Sequence, residues 1–137
     1  MAASYTISGI REGIVSNLST LGLQSTGYVL GSPLAPVVEV FPGQVAYDAA
    51  FQRGHDELTF TVRITVAVTL TEVAQRRLDE YLAPSGASSV KTLLESDRTL
   101  GGEVSTLQVT TASGYQLAIS PEGGQMLSCD WTLAILA

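Results

Sequence analysis

One stretch of alternating residues constrains the fold of this chain more than any other feature of its sequence. From residue 58 to residue 70 every even-numbered residue is apolar, and the odd-numbered ones are five small residues and one charge, Arg63. Because successive strand side chains point to opposite faces, this pattern predicts one long strand with a buried face. At about 3.3 Å per residue the strand would run ~43 Å, against a diameter of roughly 35–40 Å for a compact domain of this length. Its other face carries less charge than a solvated face normally does, so we expect that face to meet another subunit.

The composition also favours an assembling domain. The 137 residues are enough for one domain with a real core. Charged residues make up 15%, against about 25% in typical soluble domains, and the mean hydropathy is +0.27. The net charge is −6 and the seven basic residues are scattered. This argues against sequence-independent binding of nucleic acid, which requires a Lys/Arg footprint on the phosphates.

The order of patterns along the chain predicts an α+β fold in a single domain, residues 1–137. We expect an antiparallel or mixed sheet with helices packed on one face, in the order αββααβββ. Ala112-Ser113-Gly114 is expected to be a hairpin-like connection between two of the strands. The predicted helices cover about residues 5–21, the segment from Thr71 to Pro84, and a short one after Ser88 or Ser89; the predicted strands cover 37–41, 58–70, 103–111, 115–120 and 126–136.

Neither a membrane span nor a signal peptide is predicted, because no apolar run reaches the required length and the first residues lack a positive n-region. The lone Cys129 cannot form an internal disulfide, which fits synthesis in a reducing cytoplasm. It falls on an alternating strand, which predicts a buried, inert thiol.

The one candidate for catalytic or metal chemistry lies in the connector from Gly43 to Glu57. His55 stands beside Asp56, with Asp48 near, but the chain has no second histidine to complete a usual metal shell. No serine occupies a Gly-x-Ser-x-Gly elbow, and Gly101-Gly102 lacks the Lys-Ser/Thr of a phosphate loop. A polar loop is therefore the favoured interpretation, with no catalytic residue, metal or cofactor expected.

Several segments together resemble the tail terminator proteins of long-tailed phages, also called tail completion or head–tail joining proteins. The resemblance covers about residues 7–136, and its most specific part is the Ser-Val-Lys-(x5)-Asp-Arg-Thr-Leu-Gly-Gly run. The segments that carry it are Pro36-Val37-Val38-Glu39-Val40, Tyr47-Asp48-(x4)-Arg53-Gly54-His55-Asp56, the threonine-alternating strand 60–70, Leu78-Asp79-Glu80-Tyr81-Leu82, and Ser89 to Gly102.

This resemblance implies a non-enzymatic structural protein of the virion, made in the host cytoplasm and placed at the tail–neck junction. It implies a homo-oligomer, a hexameric ring, that caps the tail tube protein, stops tube elongation and offers a docking surface to the head connector or stopper protein. DNA would pass through the ring without specific binding, and the acidic net charge suggests a lumen that repels phosphates.

We expect the long connector and the lone charge of the alternating strand to make the contacts between subunits or rings. Tyr47 and Phe51 would be buried aromatic anchors, and Arg63 would pair with a carboxylate of a neighbouring subunit. Arg63→Glu is accordingly expected to leave the monomer folded and to weaken the ring. The full set of expected contact residues is Tyr47, Asp48, Phe51, Arg53, His55, Asp56 and Arg63.

Two alternatives stay open. A head-completion stopper or adaptor is also a ring protein of the same neck, but it docks on the portal side. A small ligand-binding or enzymatic domain is the alternative from another class, and it would require a deep pocket with converging polar groups.

Overall fold

Five strands form one sheet that organises the whole fold. The computed structural model describes residues 5–19, 24–25, 37–47, 56–67, 71–119 and 125–137. The sheet order is β1-β2-β3-β5-β4; every neighbouring pair is antiparallel except β1, which runs parallel to β2. The elements are α1 (Ile7–Asn17), β1 (Gln24–Ser25), β2 (Val37–Ala46), β3 (Glu57–Ala67), α2 (Thr71–Leu82), α3 (Val90–Glu95), β4 (Thr106–Ile119) and β5 (Gln125–Leu136). The fold is therefore α+β, as the sequence predicts.

The alternating stretch forms β3, and the prediction that its even-numbered side chains are buried is confirmed. The apolar even-numbered residues from Leu58 to Val66 are all buried, at 0–2% exposure. The described strand runs from Glu57 to Ala67, and residues 68–70, which the prediction includes, lie outside the described part of the chain. Its eleven residues span about 36 Å, so β3 crosses the domain from one end to the other.

The predicted connection at Ala112-Ser113-Gly114 is wrong. These residues lie inside β4, a single strand of 14 residues that pairs with β5 along its length. Gly114 adopts a left-handed φ of +72°, and the register to β5 shifts by one residue between Ser113 and Gln116. The glycine therefore makes a β-bulge, which inserts an extra residue without reversing the chain. The predicted order αββααβββ is only partly right, because two of its last three strands are one and a short β1 precedes β2.

β2 is longer than the predicted strand because Pro42-Gly43 interrupts the pairing without ending it. The register to β3 shifts between Pro42 and Gln44, and the strand continues to Ala46. A Cβ on Gly43 would stand 3.0 Å from the carbonyl oxygen of Thr59. The backbone of β2 therefore passes close to β3 at this position, where glycine has no side chain to interfere. β1 pairs with only the first two residues of β2. A proline is compatible with this position because it lies near a sheet edge.

The three helices contribute their apolar faces to one core with the sheet. α1 is shorter than predicted, and Thr6 caps it by accepting a hydrogen bond from the Gly9 N–H at 2.9 Å. Ser89 caps α3 in the same manner. The largest fully buried side chains come from both layers: Ile10, Ile14, Leu78 and Leu94 from the helices, and Phe60, Ile64, Trp131 and Leu133 from the strands. The strand members share one face of the sheet, so the helices cover that face.

The segment after α3 is a tight turn around Gly101 and Gly102. Leu100, Gly101 and Gly102 all have left-handed φ values of +51°, +72° and +93°. Asp97 accepts hydrogen bonds from the side chain and backbone N–H of Thr99 and from the Gly101 N–H. The hydrogen bonds from Thr99 and Gly101 lower the pKa of Asp97. The turn brings Leu100 against α1, where a Cβ on Gly13 would stand only 2.7 Å from the Leu100 Cβ.

Candidate functional site: the open face and the free edge of the sheet

The face of the sheet opposite the helices, which we call the open face, is composed mainly of small uncharged residues. Side chains that share this face line up in rows across the strands, because the strands pair in a fixed register. One row consists of Phe41, Thr61, Thr132 and Thr111 from β2, β3, β5 and β4. The open face thus matches the predicted character of the outer face of β3 and extends it over four strands.

A second row carries the charges at the centre of the open face. Glu39, Arg63 and Asp130 occupy directly paired positions on β2, β3 and β5. The Arg63 guanidinium donates from Nε to Asp130 Oδ1 at 2.8 Å and from Nη2 to Oδ2 at 3.2 Å. Its carbon Cζ lies 5.0 Å from the centre of the Phe41 ring, a cation–π arrangement. The planar fork of the arginine therefore matches the carboxylate with two parallel bonds.

This geometry gives Arg63 a carboxylate partner within its own chain. The hydrogen bond to Asp130 raises the pKa of Arg63; partial burial opposes this, and the negative charges of Asp130 and Glu39 add to it. The whole Arg63 side chain is nevertheless 40% exposed, against 24% for the side chain of Asp130. Arg63 can still contact a neighbouring subunit, but it would do so as part of an existing ion pair. Asp130 and Glu39 were missed in the sequence, where each is a lone charge at the outer-face parity of its strand.

One end of the open face is already shielded within the single subunit. Glu39, Thr65 and Ser128 are on this face and are only 5–7% exposed. Thr59 and Ala134, on the same face toward the other end, are exposed. The accessible part of the open face is therefore the half that runs from the charged row toward the ends of β3 and β5 at Glu57 and Leu136.

The structure describes two of the six expected contact residues in the long connector. Tyr47 is 74% exposed, so within one subunit its ring is not packed. Asp56 accepts a hydrogen bond from the Tyr5 hydroxyl at 2.7 Å, and its backbone exchanges two hydrogen bonds with Ala137. The other four, Asp48, Phe51, Arg53 and His55, lie outside the described residues.

Tyr5 and Asp56 form an anchor at the point where the connector enters β3. Partial burial, the hydrogen bond to Asp56 and the charge of that carboxylate raise the pKa of Tyr5 to about 12. The phenol therefore stays protonated and donating at neutral pH. Asp56 has a role in holding the connector to the start of α1, which does not conflict with an additional contact to a partner.

The outer edge of β4 is a second surface that the sequence did not reveal. In its first half, side chains of α3 cover the backbone of Val109: the Val109 N–H donates to Glu95 Oε2 at 3.0 Å, and Lys91 Nζ lies 3.5 Å from the Val109 carbonyl oxygen. Partial burial by itself raises the pKa of Glu95, but the hydrogen bonds from Lys91 and Val109 and the neighbouring charges outweigh it and lower the pKa. The residues from Thr111 to Leu117 are all exposed.

Two clefts among the described residues are open to solvent and hold few ionisable groups. One of about 270 Å³ lies at the end of the sheet between Glu57, Thr106 and Leu136. Another of about 170 Å³ lies between α2, α3 and β4, with Lys91 and Trp131 on its wall. Each is lined by a single ionisable side chain, whereas small-molecule sites combine an enclosed apolar cavity with several converging polar groups. Cys129 is buried as predicted, and burial raises the pKa of its thiol above the ordinary value.

No group of three or more His, Cys, Asp or Glu side chains is placed to hold a metal ion within the described ranges. Among the described helices, none combines the length and apolarity that crossing a membrane requires. No protein-family model matches this chain, and no curated protein matches it either.

Proposed function

We propose that this chain is a structural ring protein that caps the tail tube of a long-tailed phage, stops tube elongation and presents a docking surface to the head connector. The observation that carries the proposal is the open face, where four strands present threonines and other small residues around one charged row. A face of this kind fits a subunit interface better than a solvated surface, because interface centres are depleted in charge.

The contacts of Arg63 support a place for the charged row inside such an interface. Charges in an interface are tolerated when they are paired and hydrogen-bonded. Arg63 already satisfies Asp130 within the subunit, so the row could be covered by a neighbour without leaving an unpaired charge. The exposed Tyr47 ring next to β2 supplies an apolar contact of the type that dominates interface energies.

The experiment combines purified protein with isolated tail tubes and examines them by electron microscopy. We expect a ring at one end of each tube and tubes that no longer elongate when tube protein is added. Thr61→Glu adds one negative charge to the open face and should abolish capping. Gln75→Glu adds the same charge to the exposed side of α2 and should cap tubes as the unmodified protein does.

A stopper or adaptor ring is the second candidate, and the same protein distinguishes it. Binding to DNA-filled heads without capping of tail tubes would assign the chain to the portal side of the neck. Binding to neither, together with equal behaviour of the two charge variants, would contradict a ring function of the open face.

A further inference from the structure

The two outer edges of the sheet are protected to different degrees. An unpaired strand edge presents free N–H and C=O groups that pair readily with another strand, so stable proteins block it. On β2, the pairing with β1 covers Val37 and Val38, and Arg11 Nη1 donates to the Val40 carbonyl oxygen at 2.9 Å. Pro42 lacks an N–H, and a register shift follows it. These three devices block the β2 edge along much of its length.

On β4 the comparable protection lies in the first half, at Val109. The Val109 N–H donates to the Glu95 carboxylate, and the Lys91 ammonium reaches the Val109 carbonyl oxygen. Lys91 and Glu95 are held in place by their own ion pair, with 2.7 Å between Nζ and Oε2. The side chains of α3 thus take the place that a neighbouring strand would occupy, but α3 does not extend beside the second half.

The second half, residues 111–117, combines an accessible edge with exposed apolar side chains. All seven residues are exposed. No charged residue and no proline occurs between Glu103 and Ser120, so the usual edge-blocking side chains are missing. Tyr115 and Leu117 are 42% and 55% exposed, and they are two of the three large hydrophobic residues exposed among the described residues. The Gly114 bulge interrupts the pairing with β5 between Ser113 and Gln116 and increases the local twist, so of the usual edge-protecting devices this segment has a bulge but no charge and no proline.

We propose that residues 111–117 of β4 pair antiparallel with the same residues of a second copy of this chain across a two-fold axis. Among the described residues, a subunit offers one edge segment of this kind. The matching segment on a second copy is therefore residues 111–117 again. A contact that uses the same surface on both subunits is isologous and has two-fold symmetry. Two copies with a net charge of −6 each repel one another, and a contact made by uncharged residues adds no further charge to that repulsion. The pairing uses the backbone edge of β4 and shares Thr111 with the open face, so it is tested separately from the ring proposed above.

The size of the contact makes the dimer weak. Seven residues a side is well below the roughly 20–30 a side of a standard stable interface, so we expect a dissociation constant above about 1 µM. Asp79 on α2 lies close enough to Tyr115 for its charge to raise the pKa of that phenol, an effect that adds to burial. The two-fold axis would bring both copies of Asp79 toward the contact, so added salt should strengthen the dimer.

Sedimentation equilibrium of the chain alone, from about 1 µM to about 500 µM, tests the pairing. We expect a monomer–dimer equilibrium, and Leu117→Lys should weaken it at least tenfold. Gln108→Lys adds the same charge to an exposed residue of the same strand, beside the half that α3 closes, and should dimerise normally. A chain that stays monomeric throughout, or a dimer that Leu117→Lys leaves unchanged, would overturn the proposal.

Single cysteines at residues 111, 113, 115 and 117 distinguish a two-fold contact from a head-to-tail one. A residue near a two-fold axis faces its own copy, so one or two of these variants should form a disulfide-linked dimer under mild oxidation, given Cα–Cα distances of about 4.4–6.8 Å. The unmodified chain serves as control because Cys129 is buried. Failure of all four positions to cross-link would rule out the isologous pairing. Neither assay uses tail tubes, so its result does not depend on the ring function.

Discussion

The bridge between Arg63 and Asp130 gives the sharpest test of how the open face is built. We consider Arg63→Met, which keeps the aliphatic stem of the side chain and removes the guanidinium. The change breaks two hydrogen bonds, of 2.8 and 3.2 Å, to Asp130 and the contact with the Phe41 ring. It also leaves Glu39, which is 6% exposed, without the positive charge on the adjacent strand.

The expected magnitude follows from the exposure of the pair. Fully exposed ion pairs contribute about 0.2–1 kcal/mol, and hydrogen bonds to charged groups in protected sites about 1.5–3 kcal/mol. With side-chain exposures of 40% and 24% the pair is intermediate, so the coupling between Arg63 and Asp130 should be about 1 kcal/mol. The lost contact with the Phe41 ring and the lost attraction between Arg63 and Glu39 increase the loss for Arg63→Met alone to about 2 kcal/mol in the free energy of unfolding.

A double-mutant cycle measures this coupling directly. Urea unfolding is followed for the unmodified chain, Arg63→Met, Asp130→Asn and the double variant, all below the concentration at which the chain associates. The coupling should decrease as sodium chloride is raised, because a partly exposed pair is screened. A coupling below about 0.2 kcal/mol would refute the reasoning, since it would mean that the two groups do not depend on each other.

The same geometry changes what is expected of Arg63→Glu. That substitution would place three carboxylates, Glu39, residue 63 and Asp130, at directly paired positions on adjacent strands. Like charges opposite each other destabilise a sheet, so the monomer itself would lose stability and a weakened ring could not be interpreted. Arg63→Met, checked for folding by circular dichroism, is the variant that tests the ring contact.

Two further predictions concern α3. Ser89→Ala should lower the free energy of unfolding by about 2 kcal/mol, because the buried hydroxyl caps the helix and donates to the Ala83 carbonyl oxygen at 2.6 Å; thermal denaturation measures this, and an unchanged midpoint would contradict it. Glu95→Gln should destabilise the chain at neutral pH. The pKa of Glu95 in the fold is lower than its ordinary value of 4.5, so the charged carboxylate stabilises the fold, fully so at a pH above 4.5. That difference should shrink as the pH falls through the lower folded-state pKa, and a difference that is constant from pH 7 into acid would argue against it.

Local pattern was sufficient for the parts of the fold that depend on neighbours in sequence. Alternation predicted β3 and its buried side, and helical spacing predicted α1, although over a longer range than Ile7–Asn17. Pattern failed at Gly114, because a glycine with a left-handed φ serves equally in a turn and in a bulge. Whether a turn or a bulge forms depends on whether β5 continues to pair with the residues beyond Gly114. Residues 112–114 by themselves do not determine this.

The candidate site shows the same division. The sparse charge of the outer face of β3 was evident from Thr59, Thr61 and Thr65. The partner of Arg63 was not, because Asp130 is 67 residues away and reaches it only through the β3–β5 register. The expected contacts at Asp48, Phe51, Arg53 and His55 stay predictions, and so does the ring itself.

The position of β5 has a consequence for the order in which the molecule is made. The strand lies between β3 and β4 but follows both along the chain, so a ribosome releases it after the two strands that it joins. Until it arrives, β3 has no neighbour on that flank, and β4 lacks the connection that draws it into the sheet. Pairing between strands that are far apart in sequence, such as β3 and β5, slows folding and leaves intermediates that are prone to aggregate. Nascent chains of this protein should therefore rely on chaperones, and slower elongation should prolong their vulnerability.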